Sequence, residues 1–263
     1  MLALVAGRGG LPARIAQSVP DAPLVCVLEG FEPDGLAADL TFRLEQIGSL
    51  LADLKARGVT EVCFCGGIER PPVDPSEIDA ATLPLVPTLM KAIASGDDGA
   101  LSAVIGVFEQ AGLTVRAAHE LVPDLLVREG VLSAAQPDDQ MTSDMARGSE
   151  VLAALAPLDV GQGCVVGAGQ IWGIETLGGT DHMLKTLPDA VTQARAVLVK
   201  GPKRGQDLRV DMPTIGPETV AGLAAAGLAG LVVEAGGVIL LEPEATVAAA
   251  DAAGLVLWAR APD

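Results

Sequence analysis

Tyrosine is absent from this chain, aromatic residues make up 2 % of it, and histidine occurs only twice, at His119 and His182. Without tyrosine, the Tyr/Lys proton-donor pair common among NAD-dependent oxidoreductases cannot exist. With so few aromatic rings, the stacking platforms of single-strand nucleic-acid binders are missing. Basic residues are scarce too: 17 Lys and Arg stand against 34 Asp and Glu, for a net charge of −17. Non-specific binding to DNA or RNA needs many phosphate-neutralising cations, so no nucleic-acid partner is expected. The same charge repels an anionic membrane surface unless a basic cluster or an apolar patch faces it. The four cysteines, Cys26, Cys63, Cys65 and Cys164, lie in apolar runs without CxxC spacing. They read as buried reduced thiols of a cytosolic chain rather than as a zinc site. No run approaches the roughly 20 apolar residues of a transmembrane helix. Gly7-Arg8-Gly9-Gly10 interrupts the first apolar run too early for a secretory signal. The expected location is cytoplasmic, with peripheral contact at the inner membrane and a homodimer left open.

Half of the residues are hydrophobic, so a core of Ala, Val, Leu and Ile is available. Short apolar runs at 2–6, 24–28 and 61–65 alternate with helical patterns at 11–18 and 47–57. Further helices are expected at 88–94 and 99–110, and a strand at 113–116. Such alternation implies a parallel sheet, here a Rossmann-like nucleotide-binding domain over residues 1–130. The polar stretch 129–138 marks a boundary. The second domain, 138–263, begins with a helix at 143–156. A hairpin follows, 164–166 with 170–174, around Gly167-Ala168-Gly169. Helical stretches at 184–187 and 189–194 lead to a strand at 196–200. A helix at 217–226 has Pro217 in its first turn. Strands at 228–233, 238–241 and 254–258, with a helix at 243–253, complete a mixed-sheet α/β domain. The fold class is therefore α/β in two domains.

Several constellations could carry chemistry. Ala6-Gly7-Arg8-Gly9-Gly10 joins a strand to a helix, where glycines let backbone N–H groups approach a phosphate. It is GxGG rather than GxGxxG, and a plain tight turn explains it equally well. Gly66-Gly67-Ile68-Glu69-Arg70 follows the third strand, where ligands bind in open α/β sheets; Arg70 would suit a nucleotide edge, or be a solvated surface residue. Ser95-Gly96-Asp97-Asp98 reads first as a helix cap. Gly178-Gly179-Thr180-Asp181 could likewise be only a cap, with Glu175 adding a carboxylate nearby. For His119-Glu120, a hydrogen-bonded structural histidine is the default reading.

The segment 199–216, VKGPKRGQDLRVDMPTIG, is the most informative. Lys200, Lys203, Arg204 and Arg209 crowd together in an acidic protein, and no basic residue follows until Arg260. Such clustering suggests an anionic ligand, most simply a phosphate. Asp207 and Asp211 among them suggest a divalent metal, and the combination a phosphoryl-transfer or pyrophosphate-cleaving site. Arg209 and Asp211 would share one face of an extended segment, and Asp211 could hold Mg²⁺ or orient a water.

Taken together, LALVAGRGGLP at the start, GQG at 161–163, GTDHML at 179–184 and KGPKRGQDLRVDMPTIG at 200–216 resemble the bacterial LpxI family of UDP-2,3-diacylglucosamine pyrophosphatases. The resemblance covers nearly the whole chain, and RVDxPTIG is its most specific element. It implies two domains with the substrate held in a cleft between them. It implies Mg²⁺-dependent hydrolysis of UDP-2,3-diacylglucosamine to UMP and 2,3-diacylglucosamine 1-phosphate (lipid X). The family's essential aspartate falls on Asp211, with Lys200, Lys203 and Arg209 beside it. Gly9, Cys65, Gly66, His119, Glu120, Gln162, Thr180, Met183 and Gln206 fall in segments lining the cleft, and Asp181 joins Asp211 as a candidate metal ligand. Gly178, Gly67 and Arg8 depart from the family's pattern. The alternative is a non-catalytic nucleotide-sugar or dinucleotide binding protein, supported by the glycine loop after the first strand.

Overall fold

The computed structural model describes residues 1–68, 73–93 and 97–262. The chain divides into two compact units: Met1–Pro123 with Asp207–Asp211, and Asp124–Gln206 with Met212–Asp263. Residues 207–211 thus lie in the second half of the sequence but in the first compact unit. Residues 207–211 group with the first unit because Val210 packs on its core and Arg209 pairs with Glu109 there.

The first unit is built on a five-stranded sheet. Its elements are β1 (Leu2–Ala6), α1 (Leu11–Ser18), β2 (Leu24–Leu28), β3 (Leu40–Phe42), α2 (Ile47–Ala56), β4 (Glu61–Cys65), α3 (Val86–Ile93), α4 (Asp97–Gln110), β5 (Thr114–Val115) and α5 (Ala118–Leu121). The strand order is β3-β2-β1-β4-β5, and every pairing is parallel. Strands buried on both faces need apolar residues throughout, which is why β1 and β2 read as continuous aliphatic runs. Ile47, Leu50, Leu51 and Leu54 of α2 and Ile105 and Phe108 of α4 cover one face. Phe64 and Phe108 meet edge to face, with ring centroids 5.0 Å apart. The order reverses direction between β1 and β4, and such switch points hold ligands at the carboxyl ends of the strands.

The second unit carries β6 (Gly130–Val131), α6 (Asp139–Leu155), β7 (Gly163–Gly167), β8 (Gln170–Ile174), α7 (Gly179–Lys185), α8 (Ala190–Gln193), β9 (Val197–Lys200), β10 (Thr214–Ile215), α9 (Pro217–Ala225), β11 (Gly230–Glu234), β12 (Ile239–Leu240), α10 (Pro243–Ala253) and β13 (Val256–Arg260). Six strands form a mixed sheet in the order β6-β13-β11-β9-β7-β8, and β10 pairs with β12 separately. β9, β11 and β13 are mutually parallel, while β6, β7 and β8 join antiparallel. Alternation along β9 sends Leu198 to one core and Val197 and Val199 to the other. Helix α6 lies so close over β9 that a Cβ on Gly148 would stand 2.5 Å from Val199 Cγ2. The β7–β8 turn uses Ala168 and Gly169 at positive φ, as a two-residue hairpin requires. The buried Asp144 carboxylate holds that turn by accepting from Ala168 N and Gly169 N. Among the described residues, no helix is long and apolar enough to cross a membrane.

Candidate functional site

In the first unit, the two glycine loops singled out in the sequence come together at the switch point. β1 runs into Gly7–Gly10 and β4 into Gly66-Gly67, and Ala6 pairs with Cys65 at the strand ends. Gly7 N donates to Cys65 O at 2.8 Å, and Arg8 and Gly67 exchange both backbone hydrogen bonds at 2.9 Å. Only glycine fits this approach. A Cβ on Gly7 would meet Gly67 O at 2.5 Å, and one on Gly66 would meet Gly7 O at 2.5 Å. Gly66 also sits at φ +88°, outside the range of ordinary L-residues. Gly9 has φ +92° with open space around it. The Arg8 side chain turns away from the glycines, donating to Gly30 O and lying over the Phe31 ring at 4.9 Å. Arg70 and the Ser95-Gly96 pair lie outside the described residues. α4 starts at Asp97, so the two acids expected before that helix lie within its first turn.

Cys65 is buried, and the neighbouring Cys63 thiol together with burial pushes its pKa well up. Burial likewise raises Cys26 and Cys164 to about 12. All four cysteines are free and buried, as expected. Glu120 accepts from Ala117 N and from Arg116 Nε, both at 3.1 Å. Those two bonds hold its pKa below the usual carboxylate range, so it caps α5. Beside it, His119 departs from the default reading: its Nδ1 is buried with no hydrogen-bond partner.

The Asp207–Asp211 segment is not extended, as the alternation of Arg209 and Asp211 suggested. It closes a turn in which Val210 N donates to Asp207 O and Arg209 N to Asp207 Oδ1. A short acidic side chain that captures backbone two residues on favours such turns over extended chain. Arg209 binds Asp207 in bidentate fashion, Nε to Oδ1 at 2.9 Å and Nη2 to Oδ2 at 2.7 Å. Its Nη1 reaches Glu109 Oε1 at 2.7 Å. The arginine hydrogen bonds lower the Asp207 pKa, and the two carboxylates raise that of Arg209. Asp211 follows at once, half-buried.

In the second unit, Lys200 ends β9 at the carboxyl edge of the parallel strands. Its side chain is 8 % exposed. Its ammonium donates to Thr180 Oγ1 at 2.6 Å and to both oxygens of Glu175 at 3.2 and 3.4 Å. Glu175 follows β8 and Thr180 lies in the first turn of α7, so three elements converge on one charge. The sequence left Gly178–Asp181 open as a cap; Gly178 precedes α7 without a side-chain cap, and the Thr180 hydroxyl faces Lys200. Gln162 O accepts from Gly201 N at 3.0 Å and fixes the strand exit. Lys203 pairs with Asp159, and its backbone N donates to Gln206 Oε1 at 3.0 Å. Met183 is buried in the core, and Asp181 is exposed on α7. At the ends of the neighbouring parallel strands, Arg260 and Glu234 form a further ion pair at 3.6 Å.

The structure thus groups Gly9, Cys65, Gly66, His119, Glu120, Arg209 and Asp211 on the first unit. Gln162, Thr180, Asp181, Met183, Lys200, Lys203 and Gln206 lie on the second. Local spacing carries no trace of Glu109 as the partner of Arg209, nor of Asp159 as the partner of Lys203. Among the described residues, no three His, Cys, Asp or Glu side chains are grouped to hold a metal.

Residues 1–125 match the LpxI N-terminal domain and residues 128–258 the LpxI C-terminal domain. The chain is 36 % identical to the UDP-2,3-diacylglucosamine pyrophosphatase LpxI of Caulobacter vibrioides, over 97 % of this chain and 95 % of that protein. With both domains matched in order and a full-length relative at that identity, this chain belongs to the LpxI family.

Proposed function

We propose that the chain hydrolyses the pyrophosphate bond of UDP-2,3-diacylglucosamine, releasing UMP and 2,3-diacylglucosamine 1-phosphate in lipid A biosynthesis. The carrying observation is the end-to-end similarity to a pyrophosphatase named for that substrate. The local chemistry agrees. An acidic protein needs cations placed individually to hold a diphosphate, and Lys200 and Lys203 are both nearly buried and braced by carboxylates. A braced ammonium in a poorly hydrated setting stabilises phosphoryl charge more strongly than a solvated one.

In this reading Lys200 and Lys203 neutralise phosphate oxygens. Arg209, already engaged by Asp207 and Glu109, anchors the turn that presents Asp211. Asp211 orients the attacking water or holds Mg²⁺ through its carboxylate. Mg²⁺, when bound, offsets charge on the phosphoryl oxygens and acidifies a bound water. The ladder between the Arg8 and Gly67 loops serves the nucleotide end of the substrate. The reaction takes place in the cytoplasm, where the enzyme meets its lipid at the inner membrane.

The test is Asp211→Ala. Turnover should fall by at least about a thousandfold, the scale of losing a group that acts on the reacting atoms, with the circular dichroism spectrum unchanged. Normal turnover in a folded Asp211→Ala protein would remove Asp211 from the mechanism.

A further inference from the structure

We infer that Glu175 is the positioning residue for Lys200, and that with Thr180 it aims one ammonium hydrogen at a substrate phosphate oxygen. This rests on the reading of Lys200 as a phosphate ligand. A lysine ammonium has three hydrogens and no acceptor. Two directions are taken here: one by the Glu175 carboxylate, shared between its oxygens at 3.2 and 3.4 Å, and one by Thr180 Oγ1 at 2.6 Å. Among the described residues, Nζ has no third bonded partner. Lysine is otherwise a flexible point charge on a four-carbon stem, and two fixed contacts convert it into a directed donor.

The surroundings are shaped for Glu175 in particular. A Cβ on Gly163 would stand 2.7 Å from Glu175 Oε2, and a Cβ on Gly161, which has φ +51°, would stand 2.0 Å from Glu175 O. Glu175 N in turn donates to Gly163 O at 2.8 Å. Two glycines therefore make room for the backbone and carboxylate of one acid, whose side chain is 12 % exposed. The mutual neutralisation lets both charges stay nearly buried. Glu175 acts through Lys200 and touches no substrate.

Four variants test this by steady-state hydrolysis of UDP-2,3-diacylglucosamine: Glu175→Gln, Lys200→Met, the two combined, and Gly163→Ala. Glu175→Gln keeps the shape and removes the charge. It should lower kcat on the order of 10–100-fold, the scale of a small misplacement of a reacting group, with a smaller change in KM. Combined with Lys200→Met, which removes the charge pair as a unit, Glu175→Gln should add less than about a threefold further loss, because partners acting as one are not additive. Gly163→Ala displaces the carboxylate without deleting it and should give a milder form of the Glu175→Gln defect. Independent, multiplying losses from Glu175→Gln and Lys200→Met, or unchanged kinetics in folded Glu175→Gln, would overturn the inference. A wild-type protein that does not hydrolyse the substrate at all would instead overturn the functional reading on which it rests.

Discussion

Gly66→Ala is expected to damage the first unit more than Gly9→Ala, although both glycines have positive φ. An alanine in the left-handed region costs about 1–2 kcal/mol, and the stiffer unfolded chain returns roughly 0.4–1 kcal/mol of it. Gly9 has φ +92° and nothing within 4 Å of a built Cβ, so that net penalty of about 1 kcal/mol is all it should show. Gly66 carries the same penalty plus contacts at 2.5 Å to Gly7 O, 2.7 Å to Gly7 C and 2.8 Å to Arg8 O. All three are backbone atoms locked in the ladder after β1 and β4, so no side chain can rotate away. Overpacking of that kind adds about 1–3 kcal/mol, for a total near 2–4 kcal/mol. For a chain of this size each kcal/mol moves Tm by about 2–4 °C, which gives a fall of several degrees up to about 15 °C for Gly66→Ala. Gly9→Ala should fall by only about 2–4 °C. Calorimetry on the two variants, with KM measured alongside, separates the conformational penalty from the contact. Equal Tm values for the two variants would refute the claim that the loops are held at contact distance.

Arg209→Lys should lower turnover about 10–100-fold, because a lysine cannot bind Asp207 in bidentate fashion while also reaching Glu109; single-turnover kinetics would show the loss in the chemical step. The buried Glu45 carboxylate accepts from Arg43 and from Asp74 N, which lowers its pKa to about 2. A carboxylate depressed in the folded state stabilises above its unfolded pKa, so its contribution should be lost as pH falls from about 4.5 towards 2. Urea midpoints across that window should fall steeply for the wild type and more shallowly for Glu45→Gln. A thiol reagent at pH 8 should leave all four cysteines unmodified in the folded protein and label all four in urea, because burial shields them and raises Cys26 and Cys164 to about 12.

Much of the fold was legible because short aliphatic runs were bounded by Gly and Pro. β1, β2, β4, α1 and α10 occupy the residues read for them from the sequence. The β7–β8 hairpin was visible in Gly167-Ala168-Gly169, since few sequences tolerate two positive φ values in a row. β3, three residues long at Leu40–Phe42, left no period to detect; it exists because Cys26, Val27 and Leu28 of β2 pair with it. β6 and β10 are equally short, and each exists through a partner distant in sequence, β13 and β12; α5, four residues long, is a single turn held by local bonds. The 207–211 segment differs from its sequence reading because the two-residue spacing of Arg209 and Asp211, which suits an extended chain, does not reveal that Asp207 closes a turn on Arg209.

The cations of the candidate site were legible because they cluster against an acidic background. Their counter-charges were not. Glu109 lies 100 residues from Arg209 and Asp159 lies 44 residues from Lys203, and no local pattern links them. In the sequence Glu175 is only a carboxylate near Gly178–Asp181; its engagement with Lys200 depends on β8, α7 and β9 meeting at one edge of the sheet. His119 reversed its default reading because satisfaction of a ring nitrogen depends on neighbours that sequence does not display.

The most direct test of the functional account is incubation of the purified chain with UDP-2,3-diacylglucosamine, in Mg²⁺ and in EDTA, with products read by mass spectrometry. The account expects UMP and 2,3-diacylglucosamine 1-phosphate to appear in equal amounts in Mg²⁺ and to be suppressed by EDTA. Intact substrate under both conditions, whether bound or free, would contradict it.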